Sequence, residues 1–504
     1  MQTVVLTTSP EEAKRIETTY RVVRRSLDAR QRNIKVNLTI LADDAGHYIP
    51  IDAPLPKYEE PHFQHVESDA PVAYIIGAGP AGLFAALTLL EHGIKPIIFE
   101  RGKTVSERKK DIALLNRNIA FNPESNYCFG EGGAGTFSDG KLFSRSKKRG
   151  NMQRVMELFH FFGAPDNVLY EAHAHIGSDK LPRIIQNMRE CILAHGGEIH
   201  FQTLITSLSS IDSRLSTPTP PVILAIGHSA HDTYRMLARE GIAMQTKGFA
   251  LGVRVEHPQS LINRLFYHNA PAQVIALLGN ASYSLVTQVN SRGVYSFCMC
   301  PGGHIVPAGS AANGCVVNGM SASHRNSPFA NSGMVVQINP DDIAGSAPLR
   351  GLDYQETYEA LAYTAVGNTR ANGAYSAPAQ RLQDFVNARF SQNLPPSSYL
   401  PGLISSRLDE WLPEPIGSSL RQGLRIFDRK YPGFLTNEAV VVGVESRSSS
   451  PVRILRDNNT LTSISHPWLY PCGEGAGYAG GITSSALDGI NAAHKIATRY
   501  GILL

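Results

Sequence analysis

A chain of 504 residues has room for two or three domains, and 42% hydrophobic against 18% charged residues excludes a disordered chain. A formal charge of +4 is small at this length and argues against a nucleic-acid partner. Six cysteines without a Cys-x-x-Cys pair give neither a disulfide framework nor a zinc motif. No run of about eighteen apolar residues marks a membrane helix. The opening segment lacks the pattern of a secretory signal, so a reducing, cytoplasmic setting is expected.

In chain order, Gln2 to Thr7 is β-rich and Ile34 to Leu41 alternates as a half-buried strand. Between them Ser9 reads as an N-cap, Pro10 as a first-turn residue and Glu12 as the closing member of a capping box. Prolines 50, 54, 56, 61 and 71 mark a linker, so residues 1–68 are expected to form a small α+β module and linker. Residues 69–245 alternate strands and helices in the manner of a parallel α/β sheet. Residues 246–439 change to a mixed α+β character rich in Gly, Asn and Pro. Residues 440–504 return to strand, glycine loop and helix, which predicts a second part of the first unit. Thr217 to Pro221 reads as a short rigid turn.

Gly77-Ala78-Gly79-Pro80-Ala81-Gly82 follows the apolar strand Val72–Ile76 and opens a helix from Leu83 to His92. In such a turn Gly77 permits the bend, Gly79 admits a pyrophosphate and Gly82 allows close helix–strand packing. Pro80 and Ala81 begin the helix, whose N-terminus offers N–H groups and a positive dipole end to phosphates. Glu100 follows Gly82 by eighteen residues, at the tip of the next strand, where a carboxylate accepts from ribose hydroxyls. Arg101 opens a basic run to Lys110, and a second spans Lys141 to Arg149. Each reads as a solvated face or as neutralisation of a phosphorylated cofactor or an anionic substrate.

Near the other end, Tyr470-Pro471-Cys472-Gly473-Glu474 leads through Gly480 and Gly481 into a helix beginning near Ile482. Here the chain resembles the glutathione-reductase-like flavoproteins. The resemblance implies FAD, with Gly473 and Glu474 at its ribityl and pyrophosphate region and the following helix aimed at the flavin. A helix dipole there favours the negative charge of a reduced flavin. Val222 to His228 looks like the Ala-Thr-Gly strand of these proteins through Ala225, Ile226 and Gly227, with Ile226 replacing the usual Thr. Phe129 to Leu142 looks like their flavin-lining loop. That likeness implies cofactor contacts from Gly130, Gly132, Gly133, Ala134, Gly135, Thr136, Lys141 and Leu142. Lys141 reads equally as a surface lysine.

The segments GEGGAGTFSDGKL, GFALGVRVEHP, FCMCPGGHIVPA, VVNGMS, VESRSSSPVRI and CGEGAGYAGGI, with Ser26 to Arg30, resemble a bacterial group of uncharacterised FAD-dependent dehydrogenases. The likeness spans nearly the whole chain. It implies an α/β fold with a Rossmann-like FAD-binding domain, an inserted α+β substrate domain and a small ferredoxin-like N-terminal domain. The chain departs from the pattern between Ile205, at the adenine edge, and Val222, where little room remains for a β-meander.

Flavin chemistry asks the protein to position a substrate, supply an acid or base and exclude water. Arg254, Glu256 and His257 adjoin on an expected strand, either as a carboxylate clamp and proton shuttle or as a plain ion pair beside a loop histidine. Cys298 and Cys300 are expected on one strand face, as buried thiols or as a redox pair. Cys472 is expected to be packed. Arg447 and Arg453, with serines 448–450, form a candidate anion site. His173, His175, His228 and His231 lack metal-ligand spacing. The catalytic candidates are therefore Lys141, Arg254, His257, Cys298 and Arg447.

No second GxGxxG motif exists, so NAD(P)H is expected only as a transient electron donor, beside a carrier protein or the substrate itself. The reading is a FAD-dependent oxidoreductase passing a hydride or electron pair to or from a small organic substrate. A narrower form is a reductase of activated C=C bonds. The alternative is a flavin-containing RNA-binding or scaffold protein using Arg24, Arg25, Arg30 and Arg32.

Overall fold

Five strands pair in parallel in the order Leu469–Pro471, Val222–Leu224, Val72–Ile76, Lys95–Phe99 and Glu198–His200. The computed structural model describes residues 2–53, 58–143, 150–209, 219–367 and 375–502. The expected alternation of strand and helix therefore produces a parallel sheet. Ile76 pairs with both Leu224 and Phe99, and Pro471 pairs with Leu224, so four carboxyl ends finish level. Ligands of open parallel sheets gather beyond such ends.

Helix Pro80–Glu91 buries every residue from Ala81 to Leu90. A helix apolar on all sides must be covered on all sides. The sheet covers one side and helices Leu181–Ala194 and Ile482–Arg499 cover the rest, in one continuous core. Gly489 makes the closest approach: a Cβ there would lie 2.1 Å from the Ala81 carbonyl oxygen. The opposite face of the sheet is covered by helix His231–Arg239, packed on Val222, Leu224 and Ile76.

The second large sheet has seven strands in the order 286–289, 292–300, 329–338, 249–258, 440–445, 377–381 and 403–405. Its pairs are antiparallel except the last. Helix Glu414–Lys430 packs Ile416, Leu420, Leu424 and Phe427 into its core. The boundary expected at residue 440 shifts: Val440–Glu445 pairs with 249–258 and 377–381 in this sheet. Only after it does the chain return, first through Val452–Ile454 against Met244–Thr246. Six consecutive buried residues suit a strand covered on both faces.

The N-terminal strands span Gln2–Thr8 and Lys35–Ala42, with helix Pro10–Thr19 between them. Ser9 Oγ accepts from Glu12 N–H at 3.3 Å, while the Glu12 carboxylate meets Arg15 rather than closing a box. A third strand, Val22–Asp28, completes an antiparallel sheet in the order 2–8, 35–42, 22–28. Three strands and one helix, among the described residues, are fewer than the ferredoxin-like module of the resemblance requires. The module is docked: Arg25 holds Glu17 at 2.6 Å and Glu171 at 3.6 Å, and His268 meets the Ala29 carbonyl at 3.0 Å. No helix among the described residues is long and apolar enough to cross a membrane. Residues 54–57 of the linker, 144–149 of the second basic run and 210–218 of the short Ile205–Val222 connection lie outside the described residues.

Candidate functional site

Two turns build the floor of the site. At Gly77, φ is +104° and a Cβ would lie 2.4 Å from the Ala225 carbonyl oxygen, so glycine alone lets strands 72–76 and 222–224 turn side by side. At Gly82 a Cβ would lie 2.0 Å from the Gly77 carbonyl oxygen, so the helix starts directly against the turn. At the far end of the chain, Asp488 accepts from Gly473 N–H at 2.7 Å and binds Arg456 at 2.7 and 3.0 Å, tying the late glycine turn to its helix. Helices 80–91 and 482–499 have glycines 79 and 481 at their N-caps, and no side chain caps either. Both first turns lie on one cavity, whose empty volume is about 1370 Å³ and which opens to solvent. Two uncapped N-termini on one cavity favour bound anionic groups there.

The cavity brings together most of the residues expected from the sequence. On its wall are Gly77, Gly79, Pro80, Ala81, Glu100, Arg101, Gly130, Gly133, Ala134, Gly135, Ile205, Ala225, Ile226, Gly227, Gly473, Glu474, Gly480, Gly481 and Ile482. Five expected contacts are not on it. Gly82 is closed in by Gly77 and Ile75, Gly132 by Thr136 and Ile185, and Leu142 is buried in the core. Thr136 donates to the Glu131 carbonyl at 3.0 Å. Lys141 is held by Asp139 at 3.0 Å, with Cys300 Sγ 3.8 Å away. Burial works against the Lys141 charge, but Cys300 and Asp139 outweigh it and raise its pKa.

Glu100 has a further role beyond the expected one. Its Oε2 accepts from Ala78 N–H at 2.9 Å, and its Oε1 accepts from Gly102 at 2.8 Å and Gly130 at 3.1 Å. It thus organises two loops while one oxygen keeps acceptor capacity toward the cavity. The Arg101 guanidinium binds Glu124 and Asp232 and lies 4.1 Å from the Phe129 ring centroid. Glu474 pairs with His228 at 3.0 Å.

The 126–135 loop is pinned by Arg108, which is fully buried and donates to the carbonyls of Asn126, Tyr127, Gly130, Glu131 and Gly133. Burial lowers its pKa to about 10. Sequence reading missed it, because an arginine inside a basic run looks like a solvated charge. Phe129, His228, Phe297 and Asn318 were also missed as lining residues. His228 directly follows the expected Ala-Ile-Gly turn, which was the available signal.

The seven-stranded sheet supplies the opposite wall through Phe297 and Cys298, joined by Asn318 from the two-stranded sheet of 304–307 and 317–320 and by Arg447 from the segment after strand 440–445. Cys298 and Cys300 do not share a face. The register shifts between Phe297 and Cys300, and Cys298 has φ +43°, so Cys298 opens to the cavity while Cys300 is buried. A bulge rotates one side chain out of strand alternation. Although Cys298 is open to the cavity, the protein around that cavity keeps bulk water at a distance and pushes its thiol up to about 12.

Arg254 does not reach the cavity. It is buried and donates to Asn331 Oδ1, Asn318 Oδ1, Glu445 Oε2 and the Cys298 carbonyl at 2.9, 3.2, 2.8 and 2.7 Å. It positions two wall residues rather than clamping a ligand. His257 is buried away from the cavity, bonded to the Phe434 carbonyl at 2.9 Å, and burial lowers its pKa to about 4. A proton shuttle needs access that this imidazole lacks. Glu256 binds Ser398, and burial raises its pKa. Arg447 is gripped by Glu359 at 3.1 and 2.9 Å, while Ser448 and Ser450 bond to backbone carbonyls. Two hydroxyls of the expected anion site, those of Ser448 and Ser450, are therefore spent within the protein.

These residues fit a dinucleotide. Gly227, Gly480 and Gly481 line the cavity with open space where a Cβ would stand, which leaves their backbone accessible to a bound molecule. The FAD binding domain family matches residues 69–117, which contain the first glycine turn, Glu100, Arg101 and Arg108. A family described as FAD-dependent protein, C-terminal domain-like, matches residues 248–448, and a domain of unknown function, DUF8436, matches residues 5–43. Among solved structures, CtdE in complex with FAD is similar at 11% identity and TM-score 0.30, covering 84% of this chain and 82% of that one. The flavin-dependent halogenase CmlS is similar at 13% identity and TM-score 0.33, covering 86% and 60%. FAD is the cofactor of this protein. An uncharacterized protein of Clostridium beijerinckii is 40% identical over 523 residues, covering 99% of this chain and 95% of its own. With that identity over its whole length, and with both FAD-domain matches, the chain belongs to this family of FAD-dependent proteins.

Proposed function

We propose that the protein is an oxidoreductase that passes a hydride or an electron pair between FAD and a small organic substrate. The observation that carries this reading is the cavity itself. Uncapped helices 80–91 and 482–499 open on one side of it, and the seven-stranded sheet closes the other. In this reading Gly79, Pro80 and Ala81 hold the pyrophosphate, and the remaining acceptor capacity of Glu100 takes a ribose hydroxyl. Gly473, Glu474 and the first turn of helix 482–499 take the flavin end, in the glutathione-reductase-like manner. FAD, when bound, supplies two-electron chemistry at its ring.

The chain's own part is positioning and exclusion of water. Phe297 and Cys298 present an aromatic ring and a neutral thiol, and Arg254 fixes the backbone beneath them. Cys298 and Arg447 are the catalytic candidates on the wall, with Lys141 behind them beside Cys300. A nicotinamide nucleotide reaching the open side is the proposed electron source, with a carrier protein as the other. Purified protein should carry an oxidised-flavin absorbance band that bleaches on anaerobic mixing with NADH or NADPH. Colourless protein that takes up no FAD overturns the proposal.

A further inference from the structure

The wall formed by Phe297, Cys298, Asn318 and Arg447 offers amide and guanidinium donors and no free side-chain oxygen. Asn318 Oδ1 accepts from Arg254 Nη1 at 3.2 Å and from Gly319 N–H at 2.7 Å, which fills both lone pairs. Its Nδ2 has no partner among the described residues, and Asn318 lines the cavity. Arg447, also on the wall, spends Nε and Nη2 on Glu359, while its Nη1 is buried without a partner. A buried donor left unpaired is costly, so it marks a place where a ligand acceptor belongs.

The charge balance narrows the ligand. Each buried guanidinium already has its own carboxylate: Arg447 has Glu359 and Arg254 has Glu445 at 2.8 Å. The wall therefore presents donors with little net positive charge. An anionic carboxylate brought here would be desolvated with no free cation to meet it. A neutral oxygen accepts the same hydrogen bonds without that cost. An oxygen conjugated to the reacting carbons gains negative charge as they are reduced, and fixed donors stabilise such charge.

We infer that Asn318 Nδ2 and Arg447 Nη1 recognise the oxygen of a neutral conjugated carbonyl compound, an enone or a quinone, as the substrate class of this site. The inference rests on the flavin reading above. Binding is measured on the oxidised holoenzyme by calorimetry and by perturbation of the flavin absorbance. The probes are benzylideneacetone as enone, duroquinone as quinone and cinnamate as the anionic counterpart. At least one neutral probe should bind saturably, with cinnamate weaker by roughly tenfold or more. Asn318→Leu should weaken the neutral probe by roughly tenfold, and Asn318→Asp, which turns an acceptor toward the cavity, by more. Arg447→Lys, which removes the unpaired guanidinium N–H group, should weaken it also, so a variant that fails to fold leaves two others.

Binding of cinnamate as tight as the ketone, no binding of either neutral probe, or unchanged affinity in the folded variants overturns the substrate class. Which neutral probe binds separates enone from quinone. Reoxidation of dithionite-reduced holoenzyme by ferricyanide does not depend on this wall. Its failure would instead count against the flavin reading.

Discussion

At the scale of single residues, Arg108 is the feature hardest to anticipate. Its sequence neighbours are charged, yet its guanidinium is enclosed and spends its N–H groups on five loop carbonyls. Arg108→Met keeps the bulk and orphans those carbonyls, so it should destabilise the protein by about 3 kcal/mol or more and release FAD more readily. Thermal unfolding and FAD retention on dilution check this. His257 gives a pH effect of definite sign. Its pKa falls from 6.5 to about 4 on folding, so above pH 6.5 it is neutral in both states. As pH drops from 6.5 toward 4 only the unfolded chain takes up the proton, and stability is lost, by roughly 3 kcal/mol at the end of that window. His257→Gln should flatten this acid limb in a series of melts across that range.

At the scale of elements, the two helices whose N-termini face the cavity are held at one separation by a small-residue contact. Gly489→Ala places a methyl group where the Ala81 carbonyl stands and should force helices 80–91 and 482–499 apart. The expected cost is about 1–3 kcal/mol, visible as a lower unfolding midpoint and weaker FAD binding. Strand 35–42, read by its alternation, and strand 72–76, read as an apolar run, were legible because one face or both are continuously apolar. Strand 22–28 was missed because Arg24, Arg25 and Ser26 interrupt its pattern, and its pairing with 35–42 decides the matter. Strand 292–300 was legible as a strand but not in its bulge, so the relation of Cys298 to Cys300 came out reversed.

At the scale of the whole molecule, the cavity lies between the carboxyl ends of the parallel sheet and a wall of the antiparallel one, so FAD should stabilise both units together. Stripping the cofactor should lower the thermal midpoint, and adding FAD back at a hundredfold excess over its Kd should restore about 2.7 kcal/mol. A midpoint independent of FAD concentration would contradict that placement. The sequence by itself determined the turns and helix starts around the cofactor, because a glycine turn, a strand end and an uncapped helix are local facts carried by adjacent residues. Only the tertiary structure decided which charged groups face the cavity. Arg254 and Glu445, 191 residues apart, neutralise each other out of reach of any ligand. Glu100 is shared by two loops, and His257 is sealed beneath Phe434. A charge in a low-dielectric interior is satisfied by whichever partner the fold brings within about 3 Å, and chain separation says nothing about that partner.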